Sequence, residues 1–359
     1  MSVSPATLSG DLRHQTFMSF LDLSRWLAAV VVFVSHLRNP LLLGYGDLPP
    51  TDRPHWVKLW YFVTGWHAEA VIIFFVLSGL LVGGAGAAKL SQSRFDLRGY
   101  SIDRVSRLYV AFLPALILGA LLDLAGSHWF AASGFWDHSQ AMIAQKIASA
   151  PFQESLSWSG FLGNVVMVQD YYVRPFGSNT PLWTISAEFW FYVVFGLCSV
   201  FWLGKGPVAN LIAVVLMVLV FAGLGTQFLV LLGLWLLGVA IAFVPRLPLH
   251  PAFALLLLIA VLVYARLNQA STDDSSLLRN LRNYLVAGSF ALLIICMRGR
   301  RFAGLERLAG LNRWLADFSF SLYLIHFPLM LFLMAALHAI GFEGIRHGYS
   351  AVGPAGIGL

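Results

Sequence analysis

Nine apolar runs of near-spanning length leave this chain one class of fold. They lie at about 17–37, 67–88, 107–125, 183–203, 207–223, 227–244, 250–266, 283–297 and 314–340. In hydrocarbon every backbone N–H and C=O needs an internal partner, so a spanning segment is a helix or a closed-barrel strand. Barrel strands alternate apolar with polar residues, and these runs do not. With 58% hydrophobic and 11% charged residues, the chain is expected to be all-α, a polytopic transmembrane helical bundle of about nine spans. No soluble domain, internal repeat or low-complexity tract is visible, so one integral-membrane domain is expected over 1–359. The N-terminus is polar up to about Gln15 and no small-residue cleavage site follows the first run, which predicts a retained first span. Cys198 and Cys296 lie within apolar runs, at no disulfide or metal spacing.

Basic residues set the expected orientation. Lys89, Arg94, Arg98, Arg104 and Arg107 fall in segment 89–107, and Arg298, Arg300, Arg301, Arg307 and Arg313 in segment 298–313. With nine spans both segments share a side, which predicts a cytoplasmic N-terminus and an outer C-terminus. The net charge of +6 thus reads as topology, with membrane lipid as the surroundings and no nucleic-acid partner. The longest connection, 126–182, faces outward and carries His128, Trp129, Trp136, His138, Trp158, Tyr171 and Tyr172. A connection this long is expected to pack as partial helices. Its run 161–169 is too short to span and is expected to be re-entrant or interfacial.

Ionisable groups inside spans are costly and mark functional sites by default. In the first run, Arg25 and His36 are eleven residues apart. At ~100° and ~1.5 Å per residue they share a helix face, about 16 Å apart along the axis. Asp22, three residues before Arg25, is placed for a local ion pair. His36 can take or give a proton near neutrality, which suits a general base. The plainer readings are that Arg25 marks a cytoplasmic helix end and His36 an outer one. His67 and Glu69 are expected at the outer mouth of the second span. Gly79 and Gly83 form a small-xxx-small pair for close packing, and Ser78 can bond its own backbone or a neighbouring helix. Arg104 and Arg107 share a face where the third span opens, a natural phosphate clamp or ordinary inner-side charge. Glu188, the carboxylate of the fourth span, is expected to hold an arginine or orient His36. In the last span Tyr323 and His326 share a face, and Pro328 is expected to distort the helix.

In this order these residues resemble the acyltransferase family 3 of integral-membrane proteins, a group of bacterial O-acetylases and related acyltransferases. Leu21, Asp22, Arg25 and His36 match its L-D-x-x-R pattern followed by ten residues and a histidine. Phe74 to Gly79 match F-F-V-L-S-G, and Arg104 with Arg107 match R-x-x-R. GFLGNVVMVQ is similar to its G-N-hydrophobic-Q segment. PLWTISAEFWFY places the family's acidic residue on Glu188, and SFSLYLIHFP resembles its last motif. The likeness runs from about Leu21 to Pro328.

The resemblance implies an enzyme in the bacterial inner membrane, multi-pass and metal-free. It implies acyl-CoA, acetyl-CoA first among the candidates, as co-substrate from the cytoplasm. The acceptor implied is a hydroxyl of a surface polysaccharide or lipid-linked glycan. His36 becomes the base or acyl carrier, Arg25 binds or positions the donor, and Arg104 and Arg107 hold coenzyme A phosphates. Glu188 pairs with an arginine or tunes the histidine, with Asp22, Ser78, His67, Tyr323 and His326 in support. Three departures stand beside it. Leu23 follows Asp22 where a small residue is usual, no appended hydrolase-like domain is expected, and nine spans are counted against the family's usual ten. The tail after Phe342, ending GYSAVGPAGIGL, is too short and weakly apolar for a tenth. The alternatives are a glycan or lipid export permease, and a paralogue inactivated by loss of the final span.

Overall fold

A computed structural model describes residues 6–41, 45–136, 156–268 and 275–341, and helices account for nearly all of their regular structure, with no strand among them. The helices are α1 (Ala6–Asp11), α2 (Gln15–Leu41), α3 (His55–Val63), α4 (His67–Ser78), α5 (Ala85–Ser91), α6 (Leu97–Trp129) and α7 (Trp158–Val165). They continue as α8 (Trp183–Trp202), α9 (Pro207–Ala240), α10 (Pro251–Leu267), α11 (Ser276–Met297), α12 (Ala303–Arg307) and α13 (Ala309–Ala339). A π-helical turn, Gly79–Gly84, joins α4 to α5. Among the described residues seven helical segments are long and apolar enough to cross a membrane. The expected count of nine differs from this for two reasons. The runs at 207–223 and 227–244 form one helical element, α9, and the run at 250–266 is the shorter α10. At ~1.5 Å per residue an unbroken helix of the 34 residues of α9 would run about 51 Å, well beyond a ~30 Å hydrocarbon core. But α9 is not continuous: Gly225 has φ 74 and ψ −171, a conformation open to glycine and closed to helix. The question of a tenth span falls on 342–359, outside the described residues, as does His138.

Local chemistry explains where several helices begin. The third apolar run was read from 107, yet α6 starts at Leu97, ten residues earlier and within the basic segment 89–107. Asp96 caps it, accepting from the N–H groups of Arg98 (3.1 Å) and Gly99 (2.8 Å). Arg104 and Arg107 therefore lie two to three turns inside α6 and not at its start. Ser157 caps α7 by accepting from Gly160 N–H at 3.0 Å. Segment 161–169, expected to be re-entrant or interfacial, forms the end of α7 and a turn with positive φ at Met167. The basic segment 298–313 is likewise largely helical, through α12 and the start of α13.

The described chain divides into two compact units. One comprises the described residues of Met1–Ala28, Ala68–Leu108 and Ala187–Ser319; the other those of Ala29–His67, Tyr109–Ser186 and Phe320–Leu359. In the first, α9 packs on the π turn at backbone distance. A Cβ at Gly79 would collide with the carbonyl oxygen of Trp235, and one at Gly238 with that of Val76. The expected close-packing role of Gly79 and Gly83 thus holds. Trp235 is fully buried there, against Phe191 and Phe195. Asn312 ties α13 to α2, accepting from Trp26 Nε1 at 3.1 Å and donating to Ser19 Oγ at 2.9 Å. Buried Asp11 binds Arg246 at 2.5 Å and Arg298 at 2.7 Å.

In the second unit Phe135, Trp136, Phe327, Met330, Leu331, Met334 and Ala335 form an apolar cluster. Buried Asp123 anchors the long connection, accepting from Trp136 Nε1 (3.0 Å), Ser178 N–H (2.7 Å) and Ser178 Oγ (2.7 Å). Pro328 lies inside α13. Proline has no N–H, so the carbonyl four residues back loses its helical donor. That carbonyl, Leu324 O, receives Asn179 Nδ2 at 2.8 Å.

Candidate active site

Each unit gathers its own set of the residues picked out above. In the second unit His36 of α2 meets His326 of α13, Nδ1 to Nε2 at 2.8 Å. The rings are nearly parallel, 16° apart with centroids at 5.1 Å. Phe327 stands edge-on to His36 and Phe33 edge-on to His326. His67, at the start of α4, lies with its ring centroid 5.6 Å from that of His36. His326 is 1% exposed and His36 half-buried. His326 Nδ1 lies 2.7 Å from Tyr323 O. The Tyr323 hydroxyl meets Thr184 Oγ1 at 2.8 Å, so the turn carrying His326 is held from the start of α8. Three expected residues, His36, His67 and His326, are therefore brought together, with Tyr323 behind them. Glu188 was expected to orient His36 or hold an arginine; His326 is the hydrogen-bonding partner of His36 instead.

In the first unit Arg25 pairs with Asp22 at 3.5 Å, as expected. Arg107 of α6 and Glu188 of α8 lie within electrostatic range of Arg25. No arginine reaches ion-pair distance of Glu188 among the described residues. Its Oε1 accepts from Ser78 Oγ at 2.6 Å and from the Tyr192 hydroxyl at 2.5 Å. Trp235 Nε1 donates to Ser78 Oγ at 3.2 Å. Ser78 thus bonds across to neighbouring helices and not to its own backbone. Tyr192 and Trp235 join this set without having stood out in the sequence. Glu188 and Tyr192 are four apart on α8, a legible spacing; nothing local pointed to Trp235.

Two cavities flank Arg104. One, of about 270 Å³, is lined by Lys89, Arg94, Asp96, Asp103 and Tyr100 among others. The second, of about 290 Å³, is mainly apolar, with Leu97, Val105, Phe189 and Val193 in its wall. Tyr100 and Arg104 line both. The Arg104 guanidinium lies 6.0 Å from the centre of the Tyr192 ring, and its buried Nε has no hydrogen-bond partner among the described residues. Cations held in this way suit an incoming anion. Among the described residues no three His, Cys, Asp or Glu side chains are grouped as a metal ion needs.

A family model described as an acyltransferase domain matches residues 18–357. A protein described as Acyltransferase MdmB, from Streptomyces mycarofaciens, is 24% identical over 176 residues, covering 48% of this chain and 37% of that one. An uncharacterized protein of Haemophilus influenzae is 26% identical over 160 residues, 44% of this chain and 59% of that one. The aligned region thus spans less than two thirds of either relative's length. No solved structure gives a significant match.

Proposed function

This chain belongs to the acyltransferase 3 family, and we propose that it transfers an acyl group, acetyl first among the candidates, from cytoplasmic acyl-CoA to a hydroxyl of a surface or lipid-linked glycan. The family match and the apolar helices support a multi-pass membrane transferase. The observation that carries the finer reading is the hydrogen-bonded pair His36–His326, set in otherwise apolar helices. An imidazole held this way can take the proton of a hydroxyl as its oxygen attacks the thioester carbonyl. The new C–O bond forms, the C–S bond breaks, and the thiolate recovers the proton from His36. The products are an ester and free coenzyme A, with no redox change.

Donor binding falls to the cations. Arg104, Arg107, Lys89 and Arg94 form no ion pair among the described residues, which supports phosphate binding at this end of α6. Arg25, in electrostatic range of Arg107, positions the donor from α2. Glu188 holds the Ser78 and Tyr192 hydroxyls in place and keeps the cationic region from excess positive charge. In this reading the N-terminus is cytoplasmic, α9 crosses twice about Gly225, α10 crosses once, and the chain sits in a bacterial inner membrane. The test is to supply radiolabelled acetyl-CoA and an envelope glycan extract to purified protein in liposomes. Alkali-labile label on the glycan is the predicted result. A folded protein that labels no glycan from acetyl-, succinyl- or longer acyl-CoA overturns the reading.

A further inference from the structure

We propose that His326 is a positioning residue that sets the tautomer of His36, leaving Nε2 of His36 as the nitrogen that takes the proton; the proposal rests on the acyl-transfer reading above. The donors and acceptors form a chain with one starting point. Tyr323 O, a carbonyl, can only accept, so His326 Nδ1 at 2.7 Å carries a hydrogen. A second proton on His326 would bury a cation, at 1% exposure, among apolar side chains. His326 is therefore neutral, and its Nε2 presents a lone pair. His36 Nδ1, 2.8 Å from that lone pair, must donate. A neutral His36 with its proton on Nδ1 has its own lone pair on Nε2. No hydrogen bond engages that atom among the described residues, and His36 is only half-buried.

The anchor of this chain is itself braced. Tyr323 and Leu324, whose carbonyls face His326 and Asn179, belong to the turn of α13 ahead of Pro328. Asn179 Nδ2 holds Leu324 O at 2.8 Å and Thr184 holds the Tyr323 hydroxyl at 2.8 Å. The stacked ring of His326 and the edges of Phe33 and Phe327 limit how far either imidazole can swing. Among the described residues His67 is the other titratable ring beside His36, at 5.6 Å between centroids.

This arrangement orients a base without a carboxylate. An ionised carboxylate would orient His36 equally well but would bury a charge in apolar surroundings. A neutral imidazole fixed by a backbone carbonyl gives the same tautomer at no net charge. When His36 Nε2 takes the acceptor's proton, the Nδ1 hydrogen stays on His36 and shares the new positive charge with His326. When the thiolate takes the Nε2 proton, the pair returns to its starting state.

Two measurements test this. The first uses wild-type protein with ¹⁵N-labelled histidine rings in nanodiscs, with His36 signals assigned by their loss in His36→Gln. The expected spectrum at neutral pH shows His36 protonated at Nδ1 and bare at Nε2; protonation at Nε2, or averaging between tautomers, overturns the proposal. The second compares His326→Leu with His326→Gln, whose amide oxygen can stand near the lost Nε2. His326→Leu is expected to lower kcat about 10²-fold or more, within the range of general acid–base effects, with KM for acyl-CoA within about twofold. His326→Gln is expected to recover at least about tenfold of that loss. A fully active His326→Leu, or a His326→Gln no better than it, overturns the positioning role. Should His326→Leu fail to fold, the wild-type spectrum still decides. The expected tautomer in a protein that cleaves no acyl thioester overturns the transfer reading and the role as base, leaving the histidine geometry intact.

Discussion

Pro328 removes an N–H from α13, and Asn179 supplies one in its place. Asn179→Leu leaves the buried Leu324 carbonyl without that donor, at a cost of roughly 1–3 kcal/mol. The expected outcome is a lower apparent unfolding temperature in detergent and weaker catalysis, because the same turn carries His326. An unchanged unfolding temperature contradicts the bracing role. Arg104 behaves differently. Its buried Nε has no partner among the described residues, so Arg104→Ala removes little internal bonding. A charge-assisted bond to phosphate is worth about 1.5–3 kcal/mol. Arg104→Ala is expected to raise KM for acyl-CoA about tenfold or more, with kcat within about twofold; a KM unchanged in a folded variant removes Arg104 from the donor site. At this scale the sequence showed which groups carry chemistry and little of whom they meet. His36, Arg25 and Glu188 stood out because a charged or titratable side chain in an apolar run is rare. That His36 meets His326, 290 positions away, depends on how α2 and α13 pack, which no local spacing encodes. Glu188 illustrates the converse. Its role as an acceptor for the Tyr192 hydroxyl, four residues on along α8, was within reach of helical periodicity.

Helix interiors were legible from hydropathy, while their ends depended on single side chains. Asp96 moves the start of α6 ten residues into a basic segment that reads as a loop by charge alone. Gly225 breaks an element that hydropathy divides at nearly the same place. The π turn at Gly79–Gly84 left no signal beyond its glycines. Those glycines do their work in contact: Gly79 and Gly238 admit backbone against backbone, where any Cβ would meet a carbonyl oxygen. Gly288 is a control, since a Cβ there meets nothing within 4 Å. Overpacking a tight site typically costs about 1–3 kcal/mol, whereas a helical Gly→Ala in open space gains up to about 1 kcal/mol. Gly238→Ala is therefore expected to lower the apparent unfolding temperature and Gly288→Ala to hold or raise it. Equal effects of the two contradict the close approach of α4 and α9.

For the molecule as a whole, the membrane class and the family were readable from apolar runs and motif order. The span count was less so, because α9 and α10 sit at the limits of length by which a crossing is recognised. The proposed topology places Arg98 and Arg301 inside and Thr51 outside. In a Cys198→Ser, Cys296→Ser background, Thr51→Cys is expected to react with an impermeant maleimide in intact cells. Arg98→Cys and Arg301→Cys are expected to react only after permeabilisation, and the reverse pattern inverts the topology. The central claim is that His36 drives acyl transfer from coenzyme A, and the release of free thiol from acetyl-CoA tests it most directly. The assay uses wild type and His36→Ala in lipid, each with and without glycan acceptor. The account predicts acceptor-dependent release by wild type and a loss of at least about 10²-fold in His36→Ala. Undiminished release by a folded His36→Ala protein would contradict it.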